Sequence, residues 1–389
     1  MIRLVIWAAF GICIDVGLTR FGYGIMLPEL RRSMGLGYAA SGAINTVHLL
    51  GYLMGTLAAP ALARRLDMRR LAAFSHVVLC LGALICAAAP TTSVGPIVLG
   101  CGRWLMGFGG GGAVLAILVI TFAEISPSWR VPVSMLAWGS TGLAMALAGG
   151  ILPLLPPSDW NWRAMFLVGA VATAWLAWVF PPRGTGVSAN VAAGDGFAAR
   201  DALAPRWIFL NAHYFLFGVA YVAFATFAGT RLVALQSSPA VIAAAWIGYG
   251  TAAMLGAAVT ARALAQVRLR KLALMGAATC GALGALVASG SGAAFALAGA
   301  VLVGFGLAAT PALVSAFVRD RCAAAHYASA FSIATACLGI GQLIGPIVAG
   351  ALADRFGTVA VPLFAAAVYG LGVLAGVLDG RVMARQPAR

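Results

Sequence analysis

Two guanidinium groups and one carboxylate, Arg20, Arg103 and Asp15, sit inside stretches that are otherwise apolar. A charge at the centre of a bilayer costs at least about 2.5–3.5 kcal/mol on insertion scales, so each needs a partner or a wet cavity. A guanidinium is a rigid planar fork matched to carboxylate or phosphate. Arg20 therefore either contacts an anionic solute or holds its helix to a neighbour through an ion pair, with Asp15 or Glu29 as the nearest acids in sequence. Asp15 can take up a proton as a buried carboxylate, or it can line a water-filled vestibule. Five residues separate it from Arg20, about 140° around an α-helix, so the two do not share a face. Arg103 carries the same insertion cost, and hydrogen bonds to carbonyls of a neighbouring helix are one way to meet it.

Weaker signals accompany these three. Asn45, His48 and Tyr52 recur at i, i+3 and i+7 and form one helical stripe. Tyr214, Phe217 and Tyr221 do the same, beside Gly218; such aromatic rows ordinarily pack. Gln342 is a polar group in an apolar stretch with the same two readings. The run from Gly107 to Gly112 contains G-x-G-x-x-G, but no strand precedes it, so close helix packing explains it better than a dinucleotide loop. Gly51 and Gly55, four apart, carry the same meaning. The chain has no H-E-x-x-H, no G-x-S-x-G and no P-loop, and its four His are scattered. No enzyme chemistry and no cofactor or metal is expected.

The elements that hold these residues are plain. Of 389 residues, 62% are hydrophobic and 9% charged. Twelve apolar stretches are long enough to span a bilayer as helices: 4–28, 39–62, 70–89, 96–122, 131–153, 163–180, 207–231, 239–263, 271–289, 293–318, 326–351 and 359–379. A net charge of +15 would suggest nucleic acid in a soluble chain. Here the charge has another use. With the N-terminus placed in the cytoplasm, 18 Lys and Arg fall on the inside and five on the outside, leaving only Arg20 and Arg103 of the 25 within spans. That bias puts both termini in the cytoplasm of a multi-pass protein, and leaves nothing for a nucleic-acid patch. The first span is too long and too charged for a cleaved signal. The seven Cys, without a C-x-x-C, read as small buried residues.

The longest gap, 181–206, opens with Pro181-Pro182 and reads as a flexible cytoplasmic linker between residues 1–180 and 207–389. The halves echo each other at an offset near 196: Gly107-Phe108-Gly109 answers Gly304-Phe305-Gly306, and Gly149 answers Gly345. Tandem six-helix halves are a transporter architecture. Arg103-Trp104-Leu105-Met106-Gly107-Phe108-Gly109 resembles the R-x-x-x-G-x-G of the major facilitator superfamily's fourth helix, and Trp162-Arg163-Ala164-Met165-Phe166 its W-R-x-x-F. Gly345-Pro346 and Gly350-Ala351-Leu352-Ala353-Asp354-Arg355-Phe356-Gly357 are similar to the usual end of helix eleven. Arg20-Phe21-Gly22-Tyr23 with Leu27-Pro28, Gly51-Tyr52-Leu53-Met54-Gly55, and Gly218-Val219-Ala220-Tyr221 resemble the YbfB/YjiJ-like subgroup.

That resemblance implies an all-α membrane protein of twelve helices in two pseudo-symmetric bundles. It implies a secondary transporter of a small organic solute in a bacterial inner membrane, proton-coupled, acting by alternating access as a monomer. Two intramembrane arginines against one acid favour an anionic or amphiphilic solute. The candidate binding or coupling residues are Arg20, Asp15, Tyr23, Asn45, His48, Tyr52, Arg103, Tyr221 and Gln342. Arg103 is implied to sit near the central cavity. Glu124 with Arg130, and Asp320 with Arg319 or Arg321, are the expected cytoplasmic gate pairs. Two departures stand out. The loop after span two reads Pro60-Ala61-Leu62-Ala63-Arg64-Arg65-Leu66-Asp67, with Arg64 where G-x-L-A-D-R-x-G has its acid. Span five has Met145-Ala146 where G-P-x-x-G-G has Gly-Pro, which counts against the alternative of a drug or metabolite antiporter. A channel or a membrane enzyme fits the two matching halves poorly.

Overall fold

The structure, a computed structural model, describes residues 2–179, 204–322 and 326–384. Every regular element among them is helical. The helices are α1 (Ile2–Met34), α2 (Tyr38–Ala63), α3 (Met68–Ala87), α4 (Gly95–Glu124), α5 (Pro127–Ile151), α6 (Asp159–Trp178), α7 (Pro205–Ala234), α8 (Pro239–Ala265), α9 (Val267–Ala288), α10 (Ala293–Arg321), α11 (Tyr327–Phe356) and α12 (Ala360–Ala384). Eleven of them are long and apolar enough to cross a membrane. The twelfth, α6, has 20 residues. Its opening Asp159-Trp160-Asn161-Trp162-Arg163 lowers its mean hydropathy. Most of the expected linker lies outside the described residues.

Local chemistry sets the ends. Asp67 accepts from the Arg69 and Arg70 amides and Ser158 from Trp160, so side chains cap α3 and α6. Gly35, at φ 62°, closes α1 in the left-handed conformation that glycine tolerates best. Two helices are irregular inside. Residues Cys13–Phe21 of α1 wind as a π-helix, whose i→i+5 bonding is rare and tends to fall at functional sites. Helix α10 breaks between Ala293–Leu307 and Ala309–Arg321, where Pro311 lacks the amide that would bond the Leu307 carbonyl.

Packing has two-fold symmetry. Within the first six helices α2 lies on α4, α3 on α4 and α6, and α1 on α5; within the last six α8 lies on α10, α9 on α10 and α12, and α7 on α11. Between the halves α2 meets α11, α5 meets α8, and α1 meets α7. Small residues make this closeness possible. A Cβ on Gly107 or Gly111 would run into the carbonyl of His48 or Tyr52, so α2 and α4 touch backbone to backbone. Between halves, Gly24 faces the Ala225 carbonyl, Gly42 that of Pro346, and Gly142 that of Gly250.

The two ends of the bundle differ. At the end holding Tyr38 and Phe356 the halves are bonded together. The Asp354 carboxylate on α11 accepts from the Tyr38 and Ala39 amides at the N-terminus of α2, both at 2.8 Å. Deeper in, Asn45 Nδ2 donates to Thr226 Oγ1 at 2.8 Å and Thr46 Oγ1 to the Leu343 carbonyl at 2.9 Å. At the other end, the ion pairs Arg69–Glu124, Arg270–Asp320 and Arg321–Asp379 each join helices of a single half.

Candidate functional site

A cavity of about 380 Å³ lies between the halves, within the roughly 300–1,000 Å³ range of small-molecule sites. It runs from Arg20, Tyr52, Tyr221 and Gln342 near mid-bundle to Phe122, Ser134, Ser315 and Tyr327 near the end where the halves are not bonded by those ion pairs. Its walls are mostly apolar and aromatic, with Trp138, Tyr214, Phe217 and Phe331 among them.

Among the described residues, Arg20 is the cation that lines this cavity. The π-helix of α1 presents it there half-buried. Its Nη2 donates to Tyr221 Oη at 2.6 Å, and that same oxygen accepts from Gln342 Nε2 at 2.7 Å. The guanidinium lies 5.3 Å from the centre of the Tyr52 ring and 5.9 Å from that of Tyr221, a cation–π distance. Phe217 stacks on Tyr221 with centroids 4.7 Å apart. Among the described residues no carboxylate lies within ion-pair distance of Arg20. The structural-pair reading thus has no acid to rest on: Glu29 accepts from Asn161 Nδ2 at 3.0 Å, and Asp15 is engaged elsewhere.

The other expected residues divide. Tyr52, Tyr221 and Gln342 line the cavity with Arg20; Tyr23, Asn45, His48, Arg103 and Asp15 sit behind its wall. Arg103 is fully buried and works as a clamp. Its Nη1 donates to the Thr19 carbonyl at 2.7 Å and its Nη2 to Asn45 Oδ1 at 2.8 Å, while its guanidinium covers Tyr23 at 4.6 Å. Asn45 passes the connection to Thr226 on α7. His48 bonds the Arg103 carbonyl through Nδ1 at 3.0 Å, and Tyr23 donates to the Ser41 carbonyl at 2.9 Å. The helical stripe Asn45–His48–Tyr52 therefore does not act as one surface: its first two members serve Arg103, and only Tyr52 reaches the cavity.

Three expectations are corrected. Glu124 pairs with Arg69 at 3.4 Å, not with Arg130, which is exposed. Asp320 pairs with Arg270 at 2.5 Å rather than with Arg319 or Arg321. Arg321 instead holds Asp379 through both nitrogens of its fork. The basic clusters after α2 and α8 thus supply partners that lie far along the chain. Asp15 is also not the sole acid inside a span, since α12 continues to Ala384 and buries Asp379.

The partner of Asp15 is His76, one of the four scattered His: Nε2 lies 3.1 Å from Oδ2, both side chains wholly buried. An isolated His among apolar residues gives no sign of a partner 61 positions away. Tyr214 and Phe217, whose stripe with Tyr221 reads as ordinary packing, line the cavity wall with it.

A cleft between two matched six-helix halves, closed at one end and holding, among the described residues, one cation without a carboxylate partner, is the arrangement of a membrane transporter of the major facilitator type. The chain matches the family described as uncharacterised MFS-type transporter YbfB over residues 12–379, and it belongs to that family. It is similar to the gentisate transporter of Corynebacterium glutamicum, 27% identical over 156 residues, covering 38% of this chain and 33% of that protein. The match thus spans about a third of that relative's length. In fold it is similar to the crystal structure of the nucleoside transporter NupG (TM-score 0.74, 16% identity, 99% of both chains). It is also similar to a bacterial homologue of the human lysosomal transporter Spinster in an inward-facing, occupied conformation (TM-score 0.69, 14% identity, 99% of this chain and 96% of that one).

Proposed function

We propose that this transporter moves a small organic anion, an aromatic carboxylate by class, with Arg20 as the anion contact. One observation carries the reading: a guanidinium without a carboxylate partner among the described residues faces a cavity walled by aromatic rings. The fork of Arg20 suits a carboxylate, the rings of Tyr52, Phe217 and Tyr221 suit a planar solute, and Gln342 supplies a polar edge. The likeness to a gentisate transporter points the same way.

In this reading the protein is a monomer of the bacterial cytoplasmic membrane, with residues 1–180 and 207–389 rocking about the cavity and proton movement driving accumulation. The positive-inside bias supports placing the end bearing Glu124, Arg130 and Arg321 in the cytoplasm, an orientation in which the cavity opens inward. The test is uptake into proteoliposomes of gentisate, a nucleoside and a lipophilic cation, with and without a proton gradient. Gentisate uptake that rises with an inward proton gradient is the expected result. Preference for the cation would overturn the charge argument, and uptake indifferent to collapse of the gradient would remove the coupling.

A further inference from the structure

Behind the cavity wall, Asp15 and His76 form a contact whose proton content follows from its hydrogen bonds. His76 Nδ1 lies 2.8 Å from the Ala72 carbonyl. A carbonyl only accepts, so Nδ1 carries hydrogen. The 3.1 Å contact between Nε2 and Asp15 Oδ2 then needs a second proton, on Nε2 or on Oδ2. Without it two lone pairs would face each other. The other oxygen, Asp15 Oδ1, is buried with no hydrogen-bond partner, a poor setting for a bare carboxylate. Both side chains are wholly buried, while the next residue, Val16, lines the cavity.

The surroundings offer few other groups. Among the described residues, the ionisable side chains near enough to feel the Asp15 carboxylate include Cys13 on the same helix and Tyr52 on α2, besides His76 on α3. Arg20 and Arg103 are the nearby cations; Arg103 comes from α4 and bonds the Thr19 carbonyl. The parts of α5 and α6 packed on this stretch, around Thr141 and Gly169, carry no ionisable side chain. Asp15 and Arg20 share one nine-residue π-helix, Cys13–Phe21, so a change at one end of that segment is felt at the other.

We propose that Asp15 and His76 are the site that binds the driving proton, and that loss of this proton to the water on the open side rewinds the segment that positions Arg20. The inference rests on the organic-anion reading above. One proton carried with one monoanion is electroneutral, so a gradient of about one pH unit sustains an accumulation of about tenfold.

The experiment compares gentisate accumulation under that gradient with gentisate exchange at equilibrium, in vesicles holding wild type, Asp15→Asn, His76→Gln or the double variant. The double variant keeps a hydrogen-bonded amide pair without a titratable proton, so it reports even where a single variant fails to fold. The expected result is an accumulation ratio near tenfold in wild type, collapsing to about one in the variants while exchange still proceeds, together with about one proton entering per gentisate in wild type. Undiminished accumulation in the double variant would overturn the inference alone, and gentisate entry into wild-type vesicles without proton flux would overturn it together with the proton coupling proposed above. Wild-type vesicles that move no aromatic carboxylate would overturn the proposed function and this inference with it.

Discussion

Replacing Arg20 separates a solute contact from a structural prop. Its fork makes one hydrogen bond to the protein among the described residues, to Tyr221 Oη, and that oxygen keeps Gln342 as a donor when Arg20 is gone. No buried carboxylate is orphaned by Arg20→Ala, so thermal stability should shift by no more than a few degrees, the effect of about 1 kcal/mol. Affinity should respond more strongly. A hydrogen bond to a charged group is worth about 1.5–3 kcal/mol, so removing it should weaken binding roughly 10- to 150-fold. Arg20→Lys keeps the charge and loses the planar fork, and should fall between wild type and Arg20→Ala. Calorimetric titration with gentisate, run beside thermal unfolding of the same detergent-purified variants, reads both quantities. Full affinity in a strongly destabilised Arg20→Ala protein would refute the reasoning.

Other outcomes follow from the geometry. Arg321→Ala strips the partner from buried Asp379 and should cost about 3–5 kcal/mol, read as a large drop in melting temperature; Arg321→Ala/Asp379→Ala should recover part of it. Asp354→Ala removes the cap on α2, worth about 1 kcal/mol. It should shift the equilibrium roughly fivefold toward separation of the halves at that end, measurable as spin-label distances; an unchanged distribution would count against it. Gly107→Val places a branched side chain against the His48 carbonyl and should abolish folded expression in fluorescence-detected gel filtration, whereas the same change at Gly370, where a Cβ meets nothing, should be tolerated.

Much of this fold was readable from residues alone. Apolar length gave the spans, and the echo of Gly107-Phe108-Gly109 in Gly304-Phe305-Gly306 gave the two-fold relation, because close helix contact demands glycine at matching places. Of the site, Arg20, Tyr52, Tyr221 and Gln342 were legible because each is polar or amphipathic in an apolar run. Partnerships were not. Glu124 takes Arg69, 55 residues away, over Arg130 at six, since tertiary proximity outweighs nearness along the chain. The angle between Asp15 and Arg20 assumed α-helical winding, and the π-helix invalidates it. Arg103 illustrates the same limit: the cost of its charge was plain, but which carbonyl and amide would meet that cost depends on how three helices come together.

Asp354 latches the halves together at one end through the cap on α2, whereas the ion pairs of the described residues at the opposite end each stay within one half. A carrier latched unequally at its two faces rests unevenly between its two orientations. Its half-saturation concentration then differs when solute is offered from one side or the other, and its maximal velocities differ in the compensating sense. The final concentration ratio stays fixed by the gradients, since a latch present at rest does no work over a complete cycle. Sidedness of this kind is a kinetic rectifier: it sets which direction runs fast, and leaves untouched where the traffic stops.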